Sequence, residues 1–210
     1  MVKRNGGTDM TTTEFYQHLP VLETKRLILR PLQASDRNDL FEYTQDEETA
    51  RYVTWNANQT IEQAEQFLNY VLSNYAQGKE APWAIEWKET GKMIGTIDFI
   101  HLLLDENKQA ELGYALSRQF WGKGIVTEAV ECVMAYGFEE LKLERIQARC
   151  MEGNIGSARV MEKVGMTYEG TLRRLIFIKE AFHDVKMYSL LRDEYVTMRQ
   201  GSEYNTKQYQ

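Results

Sequence analysis

The segment Gln119-Phe120-Trp121-Gly122-Lys123-Gly124-Ile125-Val126 lies directly between a strand pattern and a helix pattern. Glycines there permit a tight turn and close approach of a ligand to the backbone. Main-chain N–H groups in such a turn, and at the start of the following helix, can converge on an anion. The helix dipole adds about half a positive charge. The chemistry is that of a phosphate or diphosphate cradle; a tight turn with ordinary glycines is the plain alternative. Two other phosphate-binding patterns fail. A P-loop needs GxxxxGK followed by Ser or Thr, and here Lys123 precedes Gly124. A dinucleotide fingerprint GxGxxG would need its third glycine at Thr127.

The elements that must position this turn follow from periodicity. Gln109 to Leu116 alternates, with Ala110, Leu112, Tyr114 and Leu116 on one face and Glu111, Gly113 and Ala115 on the other. A helix runs from about Ile125 to Glu140, and Arg145 to Met151 alternates again. Asn154 is a good N-cap for a short helix to Lys163, stopped by Gly165. Upstream, Leu27–Arg30 is a short strand halted by Pro31, and Ser35 or Asp36 caps a helix through Tyr43. Thr60 starts a long helix whose apolar residues Ile61, Ala64, Leu68, Val71 and Tyr75 recur at steps of three and four, with Gly78 as its stop. Pro82–Lys88 and Met93–Leu104 read as a hairpin turning at Glu89-Thr90-Gly91-Lys92. Strands at about Met166–Ile178 and Asp184–Leu191 close the pattern. The result is a mixed α/β order of the α+β type, antiparallel at first, with strand–helix–strand units after residue 109. Residues 1–17 have few apolar anchors and read as a tail or short docking arm, 18–196 as one domain, and 197–210 as a polar tail that frays.

Composition narrows the classes. At 210 residues the chain is long enough for one full core without staples. With 25 Lys and Arg against 31 Asp and Glu the net charge is −6, so no global basic surface invites nucleic acid. No apolar run reaches the ~18 residues of a membrane helix. Met1 to Thr13 is too polar for a secretory signal. Cys132 and Cys150 form no CxxC, and His18, His101 and His183 form no HExxH. The expectation is a reduced, cytoplasmic, metal-free protein that binds neither nucleic acid nor membrane. Monomer and homodimer are left open.

Q-x-x-G-x-G at Gln119–Gly124 resembles the acetyl-CoA pyrophosphate motif of the GNAT superfamily of N-acetyltransferases. Leu27-Ile28-Leu29-Arg30-Pro31-Leu32, Glu111-Leu112-Gly113-Tyr114, Trp121-Gly122-Lys123-Gly124 with Thr127-Glu128-Ala129, and Asn154-x-x-Ser157 through Glu162-Lys163-Val164-Gly165-Met166 look like its RimJ/RimL-type branch. That branch acetylates N-terminal amines of ribosomal proteins. The resemblance implies a mixed, mostly antiparallel sheet of about six to seven strands flanked by helices on both faces. It implies acetyl-CoA as co-substrate, with Gln119, Gly122, Lys123, Gly124, Ile125 and Val126 at the pyrophosphate. Leu116 would lie beside the pantetheine and acetyl carbonyl, with Asn154 and Ser157 at the far end of the arm. Lys163 reads as a solvated helix residue.

Acyl transfer of this kind needs a neutral amine, a donor for the developing oxyanion and sometimes a proton for the sulfur. A backbone N–H near Leu116 is the simplest oxyanion donor. An α-amine of pKa about 7.7–8.0 is roughly a tenth neutral at pH 7, against about one in 2,500 for lysine, so it needs little help from a base. Glu111 is the candidate base, acting through a water, and Ser157 the candidate acid or thiol contact; each is also an ordinary residue of its element. Many superfamily members carry an acid tyrosine seven residues after the Asn154 position, which here is Met161. Some RimL-like relatives carry a glutamate where this chain has Ile176. Tyr168 and Tyr188 are the alternatives. Asp46, Glu47 and Glu48 could read a cationic acceptor or simply end a helix. Trp55, Trp83 and Trp87 are core or pocket walls, and His183 is structural in a closing hairpin. The acceptor is a protein N-terminus or a small amine such as a polyamine, aminoglycoside or amino acid. A non-catalytic acyl-CoA-binding module is the reading from another class.

Overall fold

The computed structural model describes residues 10–207. Chain order is α1 (Thr12–Gln17), β1 (Leu22–Glu23), β2 (Leu27–Pro31), α2 (Arg37–Thr44), α3 (Glu47–Ala50), α4 (Ile61–Gln77), β3 (Trp83–Trp87), β4 (Lys92–Leu103), β5 (Gln109–Leu116), α5 (Ile125–Glu139), β6 (Arg145–Met151), α6 (Ile155–Lys163), β7 (Thr167–Ile178), β8 (Ala181–Leu191) and α7 (Arg192–Lys207). Short 3₁₀ turns lie at Ala34–Asp36 and Arg118–Phe120. All eight strands join one sheet in the order β1-β2-β3-β4-β5-β6-β8-β7. Neighbours are antiparallel except β5 and β6, which are parallel. The eighth strand, beyond the six to seven expected, is β1, whose two residues are too few to show an alternation.

Apolar side chains split between the two faces of the sheet. Leu27, Leu29, Ile97, Phe99 and Leu112 pack with α5 through Ala129, Val133 and Phe138. Leu40, Tyr43, Ala64, Leu68 and Val71 bring α2 and α4 onto Ala84 and Met93 of the other face. The long helix α4 is held at both ends as its sequence predicts. Thr60 and Gln63 form a reciprocal capping box, and Gly78 takes the left-handed C-cap with φ +64°.

The ends differ from expectation. Residues 12–17 are a docked helix: Thr11 and Glu14 form a capping box, and Phe15 and Tyr16 are buried against Trp83 and Phe99. Two buried aromatics anchor these six residues. At the other end α7 carries helix on to Lys207 where fraying was expected. Residues 1–9 and 208–210 lie outside the described part. Among the described residues no helix is long and apolar enough to cross a membrane.

Candidate active site

Strands β5 and β6 pair only from Gln109↔Arg145 to Leu112↔Ala148. Beyond Leu112 they part, and the wedge between them opens toward the Gln119–Val126 turn. Two cavities meet there. The first, of about 330 Å³, is lined by Leu116, Gly122, Gly124, Ile125, Val126 and Ser157 among others. The second, of about 370 Å³, lies toward the α2–α4 face and includes Glu111, Asp98 and Glu80 with Trp55, Phe67 and Tyr70. Tyr52, Val53, Tyr114, Ala115, Asn154 and Ser157 border both.

The turn leaves its main-chain amides open on one side. Gly122 and Gly124 have φ of +71° and +70°, and an ideal Cβ at Gly122 would meet nothing within 4 Å, so that side of the backbone is open. Gly124 is the N-cap of α5 and has no side chain to cap with, which leaves the first-turn amides without intrahelical acceptors. The turn is braced from a distant part of the chain. Glu128 accepts from Thr24 Oγ1 at 2.5 Å, from Arg26 N at 2.9 Å and from Arg26 Nε at 2.6 Å. Arg26 Nη1 donates to the Lys123 carbonyl at 3.0 Å. Those donors pull the Glu128 carboxyl below its usual range, although its burial works the other way.

Of the residues named from sequence for the co-substrate, Leu116, Gly122, Gly124, Ile125, Val126, Asn154 and Ser157 line the first cavity. Gln119 and Lys123 do not. Gln119 is exposed in its 3₁₀ turn, and Lys123 Nζ lies 5.2 Å from the Phe120 ring. The Leu116 carbonyl is already taken by the Trp121 indole N–H at 2.8 Å. Asn154 caps α6 by accepting from Ser157 N at 3.1 Å. Lys163 lines the cavity together with Arg159, one turn earlier on α6, which sequence reasoning missed. The spacing of two cations four residues apart after a capping Asn was the available signal.

Glu111 is 5% exposed and sits in the second cavity. Its Oε2 accepts from Gln147 Nε2 at 3.1 Å. Arg149 Nε stands 2.8 Å from Oε1, yet off the hydrogen-bonding direction, so Oε1 is buried with charge beside it and no donor aligned on it. Ser157 Oγ shares a 2.7 Å hydrogen bond with the hydroxyl of Tyr114, a residue that sequence placed on the core face without a role. Burial raises the Tyr114 pKa, so the group is a neutral O–H donor at ordinary pH.

The other candidates fall elsewhere. Met161 is a core residue, 1% exposed. Tyr168 and Tyr188 pack against each other at 5.3 Å on β7 and β8 with their rings tilted by 56°, and neither lines either cavity. Ile176 does line the second cavity. Asp46 caps α3 through Glu48 N and Thr49 N and pairs with Arg118 at 2.8 Å, while Glu48 lies 3.4 Å from Arg51. Asp46, Glu47 and Glu48 line neither of these cavities; the carboxylates on the second are Glu80, Asp98 and Glu111 instead. Trp55 is a pocket wall and Trp83 is fully buried core. His183 Nε2 is 3.2 Å from the Ile178 carbonyl, within the closing hairpin. Among the described residues no group of three or more His, Cys, Asp or Glu is placed to hold a metal.

Comparison with known proteins agrees with this geometry. Residues 26–167 match the family model described as acetyltransferase (GNAT) domain. The chain is 34% identical over 173 residues to the Bacillus subtilis (strain 168) protein named uncharacterized N-acetyltransferase YoaA, covering 82% of this chain and 97% of that one. It is 38% identical over 105 residues to the putative ribosomal N-acetyltransferase YdaF of the same organism, covering 50% of this chain and 57% of YdaF. A GNAT-family acetyltransferase structure from Bacillus anthracis superposes with a TM-score of 0.74 at 28% identity, over 83% of this chain and 100% of that one. A family model spanning most of the chain, a relative matched over nearly its whole length and a shared fold all agree: the chain belongs to the GNAT acetyltransferase family and is an N-acetyltransferase.

Proposed function

We propose that the protein transfers an acetyl group from acetyl-CoA to a primary amine, and that the amine is the N-terminal α-amine of a protein. The observation that carries this reading is the meeting of an amide-lined cavity and a carboxylate-lined cavity at the point where β5 and β6 part. The residues present suit the co-substrate. Open space beside Gly122, bare first-turn amides of α5 and the cations Arg159 and Lys163 on the same cavity fit a diphosphate. Bound acetyl-CoA supplies an acyl group activated as a thioester.

The chain's own groups do the rest. Gly122, Gly124, Ile125 and Val126 hold the diphosphate by main-chain N–H. Gln119 and Lys123 frame the turn from outside, and Asn154 fixes the start of α6 so that Ser157 faces the wedge. Leu116 places backbone beside the acyl carbonyl. Glu111 receives the acceptor's ammonium and draws off its proton through a water. Tyr114 and Ser157, hydrogen-bonded to each other, offer a proton to the departing sulfur. The similarity to a putative ribosomal N-acetyltransferase favours a protein N-terminus. The carboxylates and aromatic walls of the second cavity also favour a small cationic amine such as a polyamine, which is the second reading.

The test is thiol release from acetyl-CoA with a panel of N-terminal peptides, polyamines, aminoglycosides and amino acids. Release with peptides supports the first reading, and release with polyamines alone supports the second. Background release throughout, with acetyl-CoA still raising Tm, would make the protein a binding module. Glu111→Gln should lower turnover more at about pH 6.5 than at about pH 9, where an α-amine is already neutral. A loss independent of pH would leave Glu111 a structural residue.

A further inference from the structure

Asp98 lines the acceptor cavity with no hydrogen-bond or ion-pair partner among the described residues. It stands opposite Gly113 in the β4–β5 pairing, and a Cβ at 113 would fall 2.7 Å from Asp98 Oδ1. Glycine at 113 therefore leaves the room that the carboxyl occupies. The same register sets Glu111 opposite Ile100, which makes Asp98 and Glu111 diagonal neighbours on one face. Such neighbours sit roughly 7–8 Å apart, their Cβ atoms somewhat closer, a span that one water can bridge between two carboxyls.

The two carboxyls differ in what faces them. Glu111 has Gln147 on one oxygen and the Arg149 guanidinium beside the other. Asp98 faces no cation. Around it are Glu80 from the segment after α4, Glu111 from β5, and the hydroxyls of Tyr16, Tyr43 and Tyr75 from α1, α2 and α4. Arg149 of β6 borders the same cavity but is paired with Glu111, and His101 of β4 stands behind Glu80 at 4.0 Å. Burial, and then the charges of Glu80 and Glu111, push the Asp98 carboxyl up to about 7. A carboxyl so placed can take up a proton near neutral pH and give it back.

Building on the acetyl-transfer reading above, we propose that Asp98 is the group on which the acceptor's proton comes to rest, with Glu111 holding the ammonium and relaying that proton. The ammonium R–NH₃⁺ gives one proton to the Asp98 carboxylate by way of Glu111 or a bridging water. Its nitrogen lone pair then forms the C–N bond, and the C–S bond breaks with its electron pair leaving on sulfur. The nitrogen's second proton passes to that sulfur through the Tyr114–Ser157 hydroxyl pair, and Asp98 later releases its own to solvent. The sum is ammonium plus thioester giving amide, thiol and one proton.

The experiment is Asp98→Asn in the full chain, with two readouts. The first is kcat against pH, using the amine that the acceptor panel selects. The wild type should show a limb near pH 7, where Asp98 must be ionised to accept. The variant should lose that limb and fall about 10²-fold at neutral pH. The second is Tm against pH with no ligand present. Between its ordinary value of 3.8 and about 7, Asp98 binds more protons folded than unfolded. Wild-type stability therefore declines relative to the variant as pH rises through that window, and the Tm gap should open in the variant's favour. A limb that survives Asp98→Asn, or a Tm gap that ignores pH, overturns this proposal alone. A wild type that turns over no amine at all overturns the transfer reading, and this proposal with it.

Discussion

Gly122 and Gly91 share one backbone conformation, with φ of +71° and +70°, and an added Cβ would meet nothing within 4 Å at either. They differ in place. Gly122 lines the first cavity; Gly91 sits in the β3–β4 turn and lines neither cavity. Alanine at each position should cost about 1–2 kcal/mol of stability, because an L-residue resists the left-handed region. For a chain of this size each kcal/mol lowers Tm by roughly 2–4 °C. At Gly122 the methyl also stands where an anion must approach the main-chain amides. Losing one charge-assisted hydrogen bond there costs about 1.5–3 kcal/mol, or roughly 10- to 150-fold in Kd. Calorimetric titration of coenzyme A into the wild type, Gly122→Ala and Gly91→Ala separates the two effects. The Tm losses should match, and the affinity loss should be confined to Gly122→Ala. If both variants bind coenzyme A like the wild type, the diphosphate does not sit on this turn and the assignment of residues 119–126 is wrong.

Tyr114→Phe keeps the ring and removes the hydroxyl that bonds Ser157 at 2.7 Å. It should lower kcat about tenfold, a small effect for an acid because a thiolate leaves readily, and should leave coenzyme A affinity within about twofold; a loss in affinity alone would make Tyr114 a wall rather than a donor. Phe15 is 1% exposed and meets the Trp83 ring edge-on at 5.8 Å. Phe15→Ala should cost about 3–5 kcal/mol in urea denaturation, and a cost under about 1 kcal/mol would mean that α1 is not docked in solution.

The long elements were legible because their signals are redundant. In α4, apolar spacing, a Thr60–Gln63 capping box and a glycine stop all agree. The docked α1 was not legible, since six residues are too few for a period and the burial of Phe15 depends on Trp83, nearly seventy positions away. The closing β7–β8 hairpin was legible, but the conformation of its turn was not. Lys179 and Glu180 both take positive φ, +49° and +63°, without the Gly or Asn that such a turn usually advertises. The glycine turn of the site announced itself by composition. The wedge between the Gln109–Leu116 and Arg145–Met151 strands follows only from the family resemblance, because the parting of β5 from β6 after Leu112 belongs to the pairing and to neither strand alone. In the sequence pattern Tyr114 shares its face with Ala110, Leu112 and Leu116, and nothing there marks its hydroxyl or singles out Asp98. The acidic run at Asp46–Glu48 drew attention by sequence density, yet one of its members is tied up capping α3 and bonding Arg118.

Glu128 puts a negative charge in the first turn of α5, beside amides that must welcome another negative charge. Arg26 cancels it at 2.6 Å and is itself only about a third exposed. The doorway is thereby electrically quiet while the amides keep their outward polarity. Strip away the guanidinium and the same doorway would repel its guest, although no atom touching that guest had changed. The turn between the first two strands thus sets the sign of the threshold a hundred residues downstream.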